Sequence, residues 1–151
     1  TFNKLRKYNA STFLKPNFNS PWFKRDFSKY SPDNYAHDKD TPEITEQKIE
    51  VNTIDDYLKD NKIEFIDILK AKTQGSEIKI LNGAKSSISN KKIRFIELKV
   101  ILSDWFEESF TIGDVENCLN PFSYKLISVN HFNSKNIFWV DLVYENFEFK
   151  E

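Results

Sequence analysis

From residue 48 onward two hydrophobic periods alternate along the chain. "KIEVN" (48–52) alternates apolar and polar positions as a short strand does. "TIDDYLKDN" (53–61) then predicts a helix, with Thr53 as its cap and Asp56 three residues on in a pattern like a capping box. "FIDILKA" (65–71) is apolar and β-branched, the signature of a buried strand. "SEIKILNGAKSSIS" (76–89) places Ile78, Leu81, Ala84 and Ile88 on helical spacing. A second strong strand follows in "KIRFIELKVIL" (92–102). "TIGDVENCLN" (111–120) is a helix with Ile112, Val115 and Leu119 on one face, stopped by Pro121. "SYKLISVN" (123–130) and "NIFWVDLVYEN" (136–146) are two strands joined by the short polar "HFNSK", a spacing that suits an antiparallel hairpin.

Strands that alternate with helices imply parallel βαβ units, and the closing hairpin adds antiparallel strands. The expected fold is therefore α/β with a mixed sheet ending in an antiparallel strand pair. Residues 1–47 differ: they are polar and turn-rich, with prolines at intervals and unspaced aromatics from Phe13 to Tyr35. They read either as a covering lid anchored by aromatics or as a partly disordered arm. The expected organisation is one domain over 1–151, with 1–47 as a lid- or insert-like arm and 48–151 as the α/β core.

Composition narrows the classes. The 151 residues are 39% hydrophobic and 15% aromatic, with 14 Phe, enough for a real core. Basic and acidic residues number 22 and 23, so net charge favours neither nucleic acid nor a membrane surface. No apolar run approaches the ~18 residues of a membrane span. The single cysteine, Cys118, has no metal-ligand spacing around it, and a cytoplasmic setting is the default expectation. His37 and His131 sit in polar stretches without ligand spacing and are read as solvated rather than metal-binding.

In open α/β sheets ligands collect at the carboxyl ends of parallel strands. Lys72 ends one expected strand and Lys99 approaches the end of its neighbour. Two ammonium groups there repel unless an anion or a carboxylate sits between them. Glu77 is a candidate partner, and it also complements the dipole of the helix that follows. Gly75 suits a tight turn or the close approach of a ligand; Gln74 either donates to a substrate hydroxyl or faces solvent. Lys70, in a strand expected to be buried on both faces, is read as ligand-facing or ion-paired rather than snorkelling; Glu97 is a candidate of the same kind, with a structural cross-strand pairing to Lys70 the favoured reading. Trp105 and Trp22 are core or rim aromatics that could also stack on a flat substrate.

Several of these words resemble the FkbM-type methyltransferases: "VNTIDDYLKDNKI" (51–63), "IDILKAKTQGSEIKILNGAK" (66–85), "FIELKVILSDW" (95–105), "DLVYEN" (141–146) and the upstream "NASTFLKPN" (9–17). The likeness covers nearly the whole chain, with 18–47 the poorest match. It implies a Rossmann-like methyltransferase half-sheet, S-adenosylmethionine as cofactor, and O-methylation of a small hydroxyl acceptor such as a sugar or natural product. The sequence departs from the family's pattern in two ways. The family's Gly-rich cofactor loop belongs upstream of residue 1 and is absent here, as is the acid that would hold the cofactor ribose, and Gly75, Gly83 and Gly113 form no Gly-x-Gly loop. The family's strand-end aspartate aligns with Lys72, and the acid that follows "IEL" aligns with Lys99.

Two functions compete on this reading. The first is a truncated FkbM-like methyltransferase domain, inactive as this chain alone. The second is a non-catalytic binding module that uses Lys72 and Lys99 for an anionic ligand or a partner carboxylate. Under either, the strand at 65–71 is expected to expose an open edge, so that the chain pairs with a copy of itself, captures its own N-terminal arm or aggregates.

Overall fold

A computed structural model describes residues 2–5, 12–15, 17, 19–21, 44–131 and 137–149. Six strands and four helices are defined among them: β1 (Phe2–Leu5), β2 (Ile44–Gln47), α1 (Ile54–Asp60), β3 (Ile66–Ala71), α2 (Glu77–Gly83), α3 (Lys85–Ser89), β4 (Ile93–Ile101), α4 (Ile112–Leu119), β5 (Tyr124–Asn130) and β6 (Trp139–Asn146). A single 3-10 turn, Asn120–Phe122, links α4 to β5.

The main sheet has four strands in the order β3-β4-β6-β5. β3 and β4 run parallel, and β6 is antiparallel to both β4 and β5. The architecture is thus α/β with a mixed sheet, and the last two strands pair antiparallel as their short connection predicts. β1 and β2 form a separate antiparallel ribbon.

Alternation along β4 and β6 divides the sheet into two faces. Ile96, Leu98 and Val100 of β4 and Leu142 and Tyr144 of β6 point to the core, where Leu81, Ile88, Val115 and Leu119 of the helices meet them. Tyr124 closes that core and donates its hydroxyl to the Ile93 carbonyl at 2.6 Å. The opposite face of the same strands carries Glu97, Lys99 and Asp141.

The helices start where their caps predict. Thr53 accepts the Asp56 N–H at 3.0 Å. Thr111 and Asp114 form a reciprocal capping box on α4. Asp55, from the first turn of α1, accepts the Ser86 and Ser87 N–H groups at 2.8 and 2.9 Å, and so caps α3 and fixes α1 against it.

Three expectations need correction. Residues 48–52 form no strand, and Ile49 and Val51 are exposed, 43% and 72%. Their alternation has no neighbouring strand to pair with among the described residues; the strand in this region is β2, four residues upstream of Val51. The expected single helix 76–89 breaks at Ala84 into α2 and α3, because Asp55 supplies a fresh cap there. β3 is not buried on both faces, since Ile68 is 63% exposed, and among the described residues it is an edge strand of the sheet.

Candidate functional site

The carboxyl ends of β3 and β4 and the turn that leaves β3 make up the candidate site. Its turn is shaped by two residues with positive φ, Gln74 (57°) and Gly75 (99°). Gly75 has the conformation and the crowding that glycine alone meets, since a Cβ would lie 2.6 Å from Leu14 Cδ1. Glu77, fully buried at the start of α2, accepts the Thr73 N–H at 2.7 Å and the Gly75 N–H at 2.9 Å. Both carboxylate oxygens therefore hold the turn, and Glu77 is not the ion-pair partner of the lysines. Burial pushes its carboxyl pKa up, against the lowering effect of those N–H groups.

Thr12, Leu14, Lys15 and Asn17 pack over this turn and the segment at 105–107. The Thr12 hydroxyl donates to the Gln74 carbonyl at 2.8 Å. The Asn17 N–H donates to the Trp105 carbonyl at 2.8 Å, and the Glu107 N–H to the Lys15 carbonyl at 2.9 Å. Leu14 joins Ile101, Trp105 and Phe106 in a small second core. Trp105 is thus a core aromatic, stacked on Phe138 at 5.9 Å between ring centroids. The expectations for Trp22, His37 and most of the arm's aromatics fall outside the described residues.

The charged side chains gather on the face opposite the helix-packed core, because residues directly opposite in register share a face. Lys70 lies opposite Glu97, and Lys99 opposite Asp141. Glu97 bridges two lysines, Lys70 at 3.0 Å and Lys72 at 3.0 Å. Lys72 also holds Asp141 at 2.8 Å. The Lys70–Glu97 pair is the cross-strand contact the sequence suggests, although the Lys70 side chain is 57% exposed rather than buried. Its hydrogen bond to Asp141, chiefly, holds the Lys72 pKa above its ordinary value, and the hydrogen bond from Lys72 does most to hold Glu97 below its own.

Asp141 is the residue that sequence reasoning missed. It is the carboxylate that stands between Lys72 and Lys99, and it arrives from β6, not from the turn. One signal could have found it: "WVDLVYEN" puts Trp139 and Asp141 on the face opposite Val140 and Leu142.

Lys99 is held differently from the other two lysines. Its ammonium lies 4.6 Å from the centroid of the Trp139 ring and forms no ion pair among the described residues. Asp141 Oδ1, across the ladder, is buried with no hydrogen-bond partner.

On the helix side of β3 an apolar groove of about 470 Å³ runs between α1 and α2, lined by Phe13, Ile54, Leu69, Ala71 and Ile80 among others. Two buried hydroxyls without partners, Thr73 Oγ1 and Ser76 Oγ, border it. Among the described residues no three His, Cys, Asp or Glu side chains come together as a metal site would need. No helix among them is long and apolar enough to cross a membrane.

A family model described as the methyltransferase FkbM domain matches residues 6–126. The chain belongs to the FkbM methyltransferase domain family. The match takes in the turn at 72–77, both parallel strands and α4, so the FkbM domain includes the whole candidate site except Asp141 and Trp139. No curated protein and no solved structure matches the chain.

Proposed function

We propose that this chain is the carboxyl-terminal part of a Rossmann-like FkbM methyltransferase domain that uses S-adenosylmethionine to methylate a hydroxyl on a small acceptor, a sugar or natural product. The family match over 6–126 is the observation that carries the reading. The open edge of β3 and the apolar groove beside it support a further part of it. A strand laid along that edge would pair its backbone with β3 and drop alternate side chains into the groove between α1 and α2. In this reading that strand and the Gly-rich cofactor loop lie upstream of residue 1, and the present residues form the acceptor side.

Methyl transfer is an in-line displacement at the donor methyl, which makes the work of this half largely positional. Among the described residues no carboxylate at the strand ends stands clear of a cation or backbone partner, so we assign no catalytic base here. Label transfer from tritiated S-adenosylmethionine to the oxygen of sugar or polyol acceptors, using the native protein from its source cells, tests the reading. Labelled ether product supports it, and its absence with every hydroxyl acceptor refutes it.

The alternative, a non-catalytic binding module, has one observation in its favour: lysines occupy both strand ends, and one of them, Lys72, holds the carboxylates Glu97 and Asp141. Self-association through the β3 edge fits either reading, and light scattering of this chain distinguishes dimer from monomer.

A further inference from the structure

Of Lys70, Lys72 and Lys99, on the face of the sheet opposite the core, the first two are matched by carboxylates. Lys72 shares its ammonium between Glu97 and Asp141, and Lys70 holds the other oxygen of Glu97. This arrangement leaves Lys72 no unmatched charge to offer a ligand. Lys99 is the exception, a half-buried cation set against the Trp139 ring at the carboxyl end of β4. Its register partner, Asp141, keeps Oδ1 buried and without a donor.

We propose that Lys99 is an anion-binding residue, taking the carboxylate or phosphate of a small ligand at the end of β4 beside Trp139. The site goes beyond the methyl-transfer reading and does not depend on it, since an anion could bind here with or without a cofactor.

Three features of the geometry bear on it. Cross-strand neighbours have Cβ atoms about 5 Å apart, so Lys99 could reach Asp141, yet its ammonium stands over the ring instead. Glu77, the other nearby carboxylate, commits both oxygens to the backbone of the 73–75 turn. An anion from solution would therefore meet a cation that no carboxylate among the described residues neutralises by contact, with aromatic surface alongside. Burial lowers the Lys99 pKa; Asp141 and Glu77 act against that, while Lys72 adds to it. A bound anion would relieve the same desolvation. Asp141 is the internal competitor: a turn of the Lys99 side chain toward Oδ1 would close the site.

The test uses the whole chain, titrated with inorganic phosphate and with acetate at constant ionic strength. The readout is the indole N–H signal of Trp139, identified by its loss in Trp139→Phe. Saturable movement is expected with at least one of the two anions, and the tighter one sets the ligand class as phosphoester or carboxylate. Lys99→Gln should weaken binding at least tenfold, and Asp141→Asn should tighten it severalfold by removing the competitor. Lys79→Gln, away from this face, should leave it unchanged. If Lys99→Gln fails to fold, Lys99→Met keeps the apolar stem and serves in its place. A linear, unsaturable response to both anions overturns the proposal, as does unaltered binding after Lys99 is replaced.

Discussion

Replacing Gly75 by alanine tests whether the turn out of β3 is built on backbone geometry. At a φ of 99° an L-residue is strained whatever the space around it. Left-handed backbone costs a residue with a Cβ about 1–2 kcal/mol. The added methyl would also lie 2.6 Å from Leu14 Cδ1 and 3.2 Å from Phe106 Cδ2, both inside the small core over the turn. Overpacking of that kind costs roughly 1–3 kcal/mol, at the lower end where a side-chain tip can swing away, as Leu14 Cδ1 can. The expected total is about 2–4 kcal/mol, or a fall in melting temperature of about 4–15 °C for a chain of this size. Urea unfolding followed by far-ultraviolet circular dichroism and tryptophan fluorescence measures it. In a Leu14→Ala background the 2.6 Å clash is gone and only the 3.2 Å contact with Phe106 is left, so the Gly75→Ala penalty should shrink toward the strain, about 1–2 kcal/mol. A Gly75→Ala protein within about 0.5 kcal/mol of the parent would refute the reasoning, since surface changes fall in that range.

Three further perturbations probe the site and its supports. Burial raises the folded-state pKa of Glu77 above its ordinary 4.5, so the folded chain holds a proton that the unfolded chain has released just above that pH. Stability from this group is full below the unfolded pKa and falls as pH rises through the folded one; Glu77→Gln should flatten that fall in a pH series of urea midpoints, and an unchanged slope counts against it. Lys72→Met removes the cation shared by Glu97 and Asp141; with that side chain 35% exposed, screening limits the loss to about 1 kcal/mol. Nuclear magnetic resonance titration should show the Glu97 pKa rise toward its ordinary value in this variant, and an unmoved pKa would contradict the network. Thr111→Ala deletes the capping box of α4 and should cost about 1 kcal/mol, with faster amide exchange in the first turn of α4 alone; unchanged exchange there would argue against the cap.

Local signals in the sequence carried further than relational ones. Thr53 and Thr111 announce their helices because a cap acts within three residues of itself. The parallel pairing of β3 with β4 follows from the helices between them, and the β5–β6 pairing from their short connection. The Lys70–Glu97 pair was legible because that parallel pairing brings the two residues opposite one another. Asp141 was not, since nothing in the sequence says that β6 inserts between β4 and β5, and only that order brings it opposite Lys99. The break at Ala84 was hidden for a similar reason: its cause is Asp55, some thirty residues away. "KIEVN" misled because alternation records a pattern fit for pairing, while a strand also needs a neighbour. Glu77 was read either as a support at the start of its helix or as a partner of the lysines; it is the former, and its backbone N–H partners leave no trace in a sequence.

The intact mass of the native protein from its source cells tests the methyltransferase reading most directly. The account predicts a mass well above 17.9 kDa, with a Gly-rich segment and a strand upstream to complete the edge of β3. A mass near 17.9 kDa would contradict it and leave a chain that works without a cofactor loop.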